Sequence, residues 1–194
     1  MLFHFRNKFP GLNKYWEKYL PVQQRMEIPA RTILLQEGRP SRHYIYIEKG
    51  AIRTYFNKDG VDKTVQFFFE NEGLSSLESF INNVPSPVTI ETIEPSVVYL
   101  LHKKYVTRLM DELAREPGFM QMILQLSARR QVHYMNEFVS FIRDTPEQRY
   151  QNLLKDRPHI VRRVPQHYIA SYLGISKVHL SRIKSKLAKG KAHF

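Results

Sequence analysis

Residues 165–187 read PQHYIASYLGISKVHLSRIKSKL, and their spacing decides how the C-terminal part of the chain folds. The stretch fits two short helices joined by a tight glycine turn. Its apolar positions are Ile169 and Leu173, then Ile175, Leu180 and Ile183, with Ala170 one residue after the first of them and Gly174 four residues after Ala170. Two helices that cross steeply need a small residue where they touch, which suits Ala170. The sharp turn between them favours a residue that tolerates positive φ, which suits Gly174. Ser176 follows as the N-cap of the second helix. Leu180, Ile183 and Leu187 recur at three and four residues and form one inward stripe. This is the helix-turn-helix pattern, whose second helix enters the DNA major groove.

The outward face of that second helix follows from its geometry. At about 100° per residue, Val178, Arg182, Ser185 and Lys189 point away from the Leu180/Ile183/Leu187 stripe, with Lys177 and Ser181 flanking them. An arginine there can contact guanine O6 and N7 together, and a valine can touch a thymine methyl. The candidate base-reading residues are therefore Lys177, Val178, Ser181, Arg182 and Ser185. Gln166, His167, Ser176, His179, Lys184, Lys186 and Lys189 are the candidate phosphate contacts. The competing reading is an ordinary basic, solvated helix in a small helical bundle. The match at every spaced position favours DNA.

Charge placement points the same way. The chain has 194 residues and a formal net charge of +12. Residues 143–194 alone hold 12 Lys and Arg against 3 Asp and Glu, a net of +9, which leaves +3 for the first 142 residues. Such a field attracts phosphate backbones and steers association. Taken alone it would also fit an anionic membrane or an acidic protein. There is no cysteine, which excludes disulfides, cysteine-ligated clusters, Cys-type zinc sites and thiol catalysis. The longest apolar runs, such as residues 97–101, are strand-sized, so no membrane span is expected. Residues 1–9 are interrupted by His4, Arg6, Asn7 and Lys8 and lack the apolar core of a secretory signal. A cytoplasmic location is the expectation.

Upstream, the periodicity changes along the chain. Residues 10–20 place Leu12, Tyr15, Trp16, Tyr19 and Leu20 at helical offsets. From about residue 26, the runs 32–35, 43–48, 51–56, 63–69, 88–94 and 97–101 are rich in β-branched and aromatic residues. Gly38-Arg39-Pro40, Lys49-Gly50, Asp59-Gly60 and Glu94-Pro95 separate them, and Asp59-Gly60 suits a type I′ hairpin turn. Short antiparallel strands at this spacing predict a barrel or roll. Helical periodicity returns after Lys103. A long helix is expected from Pro117, placed in its first turn, to about Arg143, with Met120, Ile123, Leu124, Tyr134, Met135, Phe138 and Phe141 on it and Ser127 and Gln131 on the same stripe. That is more apolar surface than one flank covers. Homodimerisation through this helix is the preferred reading, packing wholly against the chain's own barrel the alternative. A boundary is expected at Asp144/Thr145, where Thr145, Pro146 and Gln148 form a capping box. That helix carries Tyr150, Leu153 and Leu154 and ends before Pro158, and residues 157–163 read as a basic connector.

This layout resembles the Crp/Fnr family of bacterial transcription regulators over nearly the whole chain. The resemblance rests on Ile169-Ala170 through Leu180-Ser181-Arg182-Ile183, on Gly38, on Tyr46-Ile47-Glu48-Lys49-Gly50 and on Asp59-Gly60. Gln148-Arg149-Tyr150 and Tyr172-Leu173-Gly174-Ile175-Ser176 look like the cysteine-free branch common in Bacteroidetes. The resemblance implies an α+β fold: an N-terminal double-stranded β-helix (a cyclic-nucleotide-binding-like β-roll) over 1–115, a dimerisation helix over 116–143, and a helix-turn-helix domain over 144–194. It implies Lys177, Val178, Ser181 and Arg182 at base-facing positions. Arg182 matches the family's commonest guanine reader, whereas Val178 stands where a glutamate is often found. The chain also reaches Phe194 soon after the recognition helix, so the wing hairpin of many members looks missing or minimal.

The effector site departs further. Members that bind cyclic AMP use a Gly-Glu pair for the ribose 2′-hydroxyl and an Arg-Ser or Arg-Thr pair for the phosphate. Ungapped alignment on Leu77 puts Ser75-Ser76 at the first pair and Ser86-Pro87 at the second, and no arginine lies between Arg53 and Arg108. Without the charge-assisted contacts, cyclic nucleotide binding is expected to be weak or absent. The residual effector-pocket candidates are Ser75, Ser76, Leu77, Ser86, Pro87 and Ser127. The implied partners are double-stranded DNA with a near-palindromic operator, a second copy of the chain, RNA polymerase and an unidentified small-molecule effector, with no membrane and no cofactor.

No catalytic or metal site is expected. His43, His102, His133, His159, His167, His179 and His193 lack metal-ligand spacing. Glu70, Glu72 and Glu78 read as solvated strand-end carboxylates. There is no phosphate-binding glycine loop and no nucleophile elbow. The second functional reading is an effector-binding sensor that acts through a protein partner and carries a vestigial DNA-binding domain.

Overall fold

Two periodicities build two separate cores. In the first half, side chains two apart along a strand face one way. In the second, apolar residues three and four apart line helix faces. The computed structural model describes residues 13–191. They begin with helix α1 (Asn13–Tyr19) and a 3-10 turn (Leu20–Val22), then β1 (Gln24–Ile28), β2 (Ile33–Leu35), β3 (His43–Lys49), β4 (Ile52–Lys58), β5 (Val61–Phe68) and β6 (Gly73–Leu74). Helix α2 (Leu77–Asn82), β7 (Thr89–Thr92) and β8 (Ser96–His102) follow. The remainder is helical: α3 (Lys103–Leu113), α4 (Phe119–Arg143), α5 (Pro146–Asp156), α6 (Pro158–Arg163), α7 (Gln166–Tyr172) and α8 (Lys177–Lys191). The chain divides into two compact units, residues 1–56 with 65–120, and residues 57–64 with 121–194.

The strands form two four-stranded sheets, ordered β1-β8-β3-β6 and β2-β7-β4-β5. Ile45 and Ile47 of β3 share a face, and Ile28, Val98 and Leu74 join them from the same sheet. Ile52, Ile90 and Phe68 meet them from the other sheet in one buried cluster. Each such side chain contributes about 1.5–3 kcal/mol by leaving water. At the β4–β5 turn, Asp59 (φ 53°) and Gly60 (φ 78°) both take positive φ, the pair of angles a type I′ hairpin demands. On the opposite face of β4 from Ile52, Arg53 pairs in register with Glu91 of β7. Its Nε and Nη2 both donate to Glu91 Oε2 at 2.7 Å, both residues are buried, and the guanidinium stacks 3.8 Å from the Tyr55 ring centroid.

Several expectations change on the structure. Strand β1 carries the polar sequence QRMEI and is exposed except at Ile28, so it lacks an alternating apolar signal. Pairing with β8 from Gln24↔Leu100 to Ile28↔Ser96 makes it a strand. The two-residue β6 and the six-residue α2 are too short to show a period. Pro117 does not sit in the long helix: Gly118 turns the chain at φ +77° and α4 begins at Phe119. Residues 157–163 are not a connector but mostly helix α6, with Pro158 at its first position. The expected N-terminal helix is seen over Asn13–Tyr19, with Leu20 in the 3-10 turn, and residues 10–12 of that segment, the signal-peptide reading of residues 1–9 and His193 lie outside the described residues.

In the second unit, Thr145 and Gln148 cap α5 reciprocally with Pro146 at the first helical position. Tyr150, Leu153, Ile160, Val164, Tyr168, Ile169, Leu173, Leu180 and Ile183 form its buried interior. Residues 57–64 group with this unit through Ser171, whose Oγ donates to the Asp62 carbonyl at 2.7 Å and accepts from the Thr64 amide at 2.9 Å.

Candidate nucleic-acid interface

Helices α7 and α8 form the helix-turn-helix. Ile169, Ala170 and Leu173 of the first segment are buried, as are Leu180 and Ile183 of the second, while Leu187 is half-buried. Ala170 is buried, and its carbonyl accepts from the Ile175 amide at 3.0 Å, across the turn. Gly174 takes φ +70°. Ser176 caps α8, its hydroxyl accepting from the His179 amide at 3.1 Å.

The opposite face of α8 is open. Lys177, Val178, Ser181, Arg182, Ser185 and Lys189 are all exposed, Val178 by 61% against 1% for Leu180. A β-branched side chain left in solvent beside arginine, serine and lysine offers a methyl contact, a bidentate donor and short hydroxyls along one strip. Among the candidate phosphate contacts, Gln166 and His167 are exposed on the first turn of α7, and His179 on that of α8. The His167 and Tyr168 rings lie 3.9 Å apart. Lys184 and Lys186 are placed differently from Lys189. Lys184 is half-buried, and Lys186 Nζ lies 2.7 Å from Glu147 Oε2 in an ion pair with α5.

A polar joint that the sequence reading did not single out sits behind this face. Arg149 of α5 donates from Nη1 to the Asp144 carbonyl at 2.7 Å and the Phe141 carbonyl at 3.4 Å, and from Nη2 to the Leu173 carbonyl at 2.9 Å. Its guanidinium also stacks 4.6 Å from the Phe141 ring centroid. Nearby, Tyr172 donates to the Glu137 carboxylate and accepts from Arg157 Nη1 at 3.3 Å. Burial, and then that bond to Glu137, hold the Tyr172 phenol well above its ordinary pKa, so it stays a donor at any physiological pH. The available signal was local: an arginine directly after a capping box, within one turn of the end of the preceding helix.

Helix α4 presents a long apolar seam. Leu124, Ala128, Val132, Met135, Val139 and Ile142 recur at steps of four, four, three, four and three and are exposed, with Phe138 beside them. That is the spacing of a helix made to face another helix.

In the first unit, two of the residues read as an effector pocket come together. Ser76 and Ser86 are buried and meet: Ser86 Oγ lies 2.9 Å from Ser76 Oγ, 2.6 Å from the Val88 carbonyl and 3.2 Å from the Val88 amide. Ser79 Oγ accepts from the Ser41 amide at 2.8 Å and donates to the Val84 carbonyl. These hydroxyls are spent on one another and on the backbone. Ser75 is half-buried, Leu77 and Pro87 are exposed, and Ser127 is an exposed residue of the other unit. Arg53, the arginine nearest in sequence, is committed to Glu91. Among the described residues, no cluster of His, Cys, Asp and Glu is arranged to hold a metal, and no helix is long and apolar enough to cross a membrane.

Residues 25–112 match the family model of the cyclic nucleotide-binding domain. No curated protein matches the sequence. Solved structures with the same fold include the c-di-GMP-responsive global regulator CLP of Xanthomonas campestris, at 18% identity and TM-score 0.71 over 92% of this chain and 93% of that one. FixK2 of Bradyrhizobium japonicum matches at 16% identity and TM-score 0.71, over 88% of this chain and 86% of its own. A protein assigned to the Crp/Fnr family of transcriptional regulators from Eubacterium rectale matches at 15% identity and TM-score 0.70, over 90% of this chain and 82% of its own. At these identities the likeness establishes the fold.

Proposed function

We propose that this chain, a cyclic nucleotide-binding domain followed by a helix-turn-helix in the fold of the Crp/Fnr regulators, is a homodimeric DNA-binding transcription regulator and not an enzyme. The observation that carries the reading is the exposed strip Val178, Ser181, Arg182, Ser185 and Lys189 opposite the buried Leu180 and Ile183. The apolar seam of α4 supports the dimer. Two recognition helices related by a two-fold axis then read half-sites about 34 Å apart in successive major grooves. Arg182 reads guanine, Val178 contacts a methyl group, and Lys189 with Gln166 and His167 holds phosphates.

Cyclic AMP is not the effector in this reading. A nucleotide phosphate needs a fixed cation, and the serines at the matching positions bond to each other. Calorimetry with cyclic AMP is expected to give no micromolar binding.

The test of the reading is selection of bound genomic fragments, followed by titration of the selected operator. Arg182→Ala is expected to cost about 1–3 kcal/mol at one base position and to relax preference there. Lys189→Ala weakens all sequences alike and flattens the salt dependence. An Arg182→Ala protein with unchanged operator preference removes α8 from the role of reader. A wild-type chain that selects no duplex at moderate salt returns the protein to the sensor reading, with a partner protein in place of DNA.

A further inference from the structure

We infer that Arg149 is the positioning residue that fixes the angle between α4 and the reading helix, and through it the half-site spacing the dimer accepts; this rests on the DNA-binding reading above. The argument starts from where the guanidinium points. Helix C-termini leave carbonyls without intrahelical donors and carry partial negative charge. Arg149 meets two such ends at once. Nη1 serves the Phe141 and Asp144 carbonyls at the end of α4, and Nη2 serves the Leu173 carbonyl at the end of α7, the residue before the helix-turn-helix turn. A rigid planar fork whose two nitrogens bind two different helices transmits the direction of one to the other. A lysine, with one compact ammonium, cannot hold both in the same way.

Three further contacts close the joint around that fork. The Phe141 ring lies under the guanidinium, and the same ring stands 3.0 Å from where a Cβ on Gly174 would be. Tyr172, at the end of α7, donates to Glu137 of α4. Arg157 reaches both partners of that bond, Tyr172 Oη at 3.3 Å and Glu137 Oε1 at 3.9 Å. The turn of the helix-turn-helix is therefore bound to α4 on two sides, by two independent sets of polar contacts. When α4 pairs with its copy, this joint sets the separation and the relative twist of the two reading helices. One base pair more or less between half-sites rotates the second site by about 34–36°, which a fixed joint cannot follow.

The experiment is a spacer series. Operators with the selected half-sites and the spacer shortened or lengthened by one and two base pairs are titrated with the full-length protein. Wild type is expected to lose about tenfold or more in affinity for each single-base-pair change, the size of one mismatched contact. Arg149→Lys and Tyr172→Phe are expected to reduce that discrimination to about threefold or less, the lysine variant more strongly. A uniform loss of affinity with the spacing profile intact means that Arg149 only stabilises the domain, and overturns the proposal. Tyr172→Phe removes a single hydroxyl and carries the test should the lysine variant fold poorly.

A second arm needs no DNA. The chain has no native cysteine, so spin labels at Asn136→Cys on α4 and Ala188→Cys on α8, diluted with unlabelled chains, report the intramolecular distance directly. A narrow distribution that broadens in Arg149→Lys supports the joint, and an unchanged distribution refutes it. If wild type binds no duplex, the DNA reading fails while the spin-label result still decides the joint.

Discussion

Gly174→Ala tests the turn on which the reading helix hangs. Gly174 holds φ +70°, where an alanine costs about 1–2 kcal/mol in backbone energy. An added Cβ would also stand 3.0 Å from Cε1 and 3.4 Å from Cζ of Phe141. That ring is 47% exposed, so it yields by tilting off its preferred rotamer, at about 0.5–1.5 kcal/mol. The two parts together come to about 1.5–3.5 kcal/mol. For a unit of this size each kcal/mol moves Tm by about 4–8 °C, so the C-terminal unit should melt roughly 6–28 °C earlier, followed by circular dichroism. A double-mutant cycle separates the parts: in a Phe141→Ala background the glycine substitution should cost only the backbone share. A Gly174→Ala protein that melts with wild type would refute the left-handed turn, and a cost unchanged by Phe141→Ala would refute the contact.

Three further outcomes are expected. Leu180→Ala should destabilise the C-terminal unit by about 2–5 kcal/mol in chemical denaturation, because Leu180 is buried, whereas Val178→Ala on the exposed face should stay within about 0.5 kcal/mol while changing base preference in the operator titration. Glu91→Gln should destabilise the N-terminal unit by about 3–5 kcal/mol by removing the carboxylate charge that Arg53 pairs with, and Arg53→Met with Glu91→Leu should recover most of that loss. The Asp144 carboxyl is held below its ordinary value of 3.8 by hydrogen bonds from Arg143 and then Ser140. The unfolded chain therefore takes up this proton first, so the contribution is complete above about pH 4 and is lost as pH falls through the lower folded value. Asp144→Asn should flatten the acid limb of the Tm–pH curve, and an identical acid limb would show that the Arg143 and Ser140 bonds contribute nothing.

What the sequence made legible was local. The turn at Gly174, the cap at Thr145, the hairpin at Asp59-Gly60 and the stripe Leu180/Ile183 each depend on residues within one turn or one pair of strands, so spacing alone exposes them. The outward strip of α8 follows from the same arithmetic once the stripe is known. What escaped depends on partners far along the chain. Strand β1 has no apolar alternation and exists because β8, about 70 residues away, offers it a ladder. Nothing in the spacing links Arg53 to Glu91, and only the strand register shows that they are one buried pair. The role of Arg149 was only half local: the Asp144 carbonyl is five residues back, but the Leu173 carbonyl belongs to the end of another helix. The serines at 76 and 86 were legible as lost charges, but their closure on each other needed α2 and the loop that follows it to be in place.

The salt link between β4 and β7 has an evolutionary consequence. Neither Arg53 nor Glu91 drifts freely alone, because each single replacement takes a 2.7 Å partner from the other buried charge. A lineage leaves this state only by changing both codons nearly together, or after gaining enough spare stability elsewhere to survive the intermediate. Descendants should therefore inherit the two residues as a unit, or show two apolar side chains in their place, and a chain retaining one without the other should carry a compensating change among the neighbours of Tyr55.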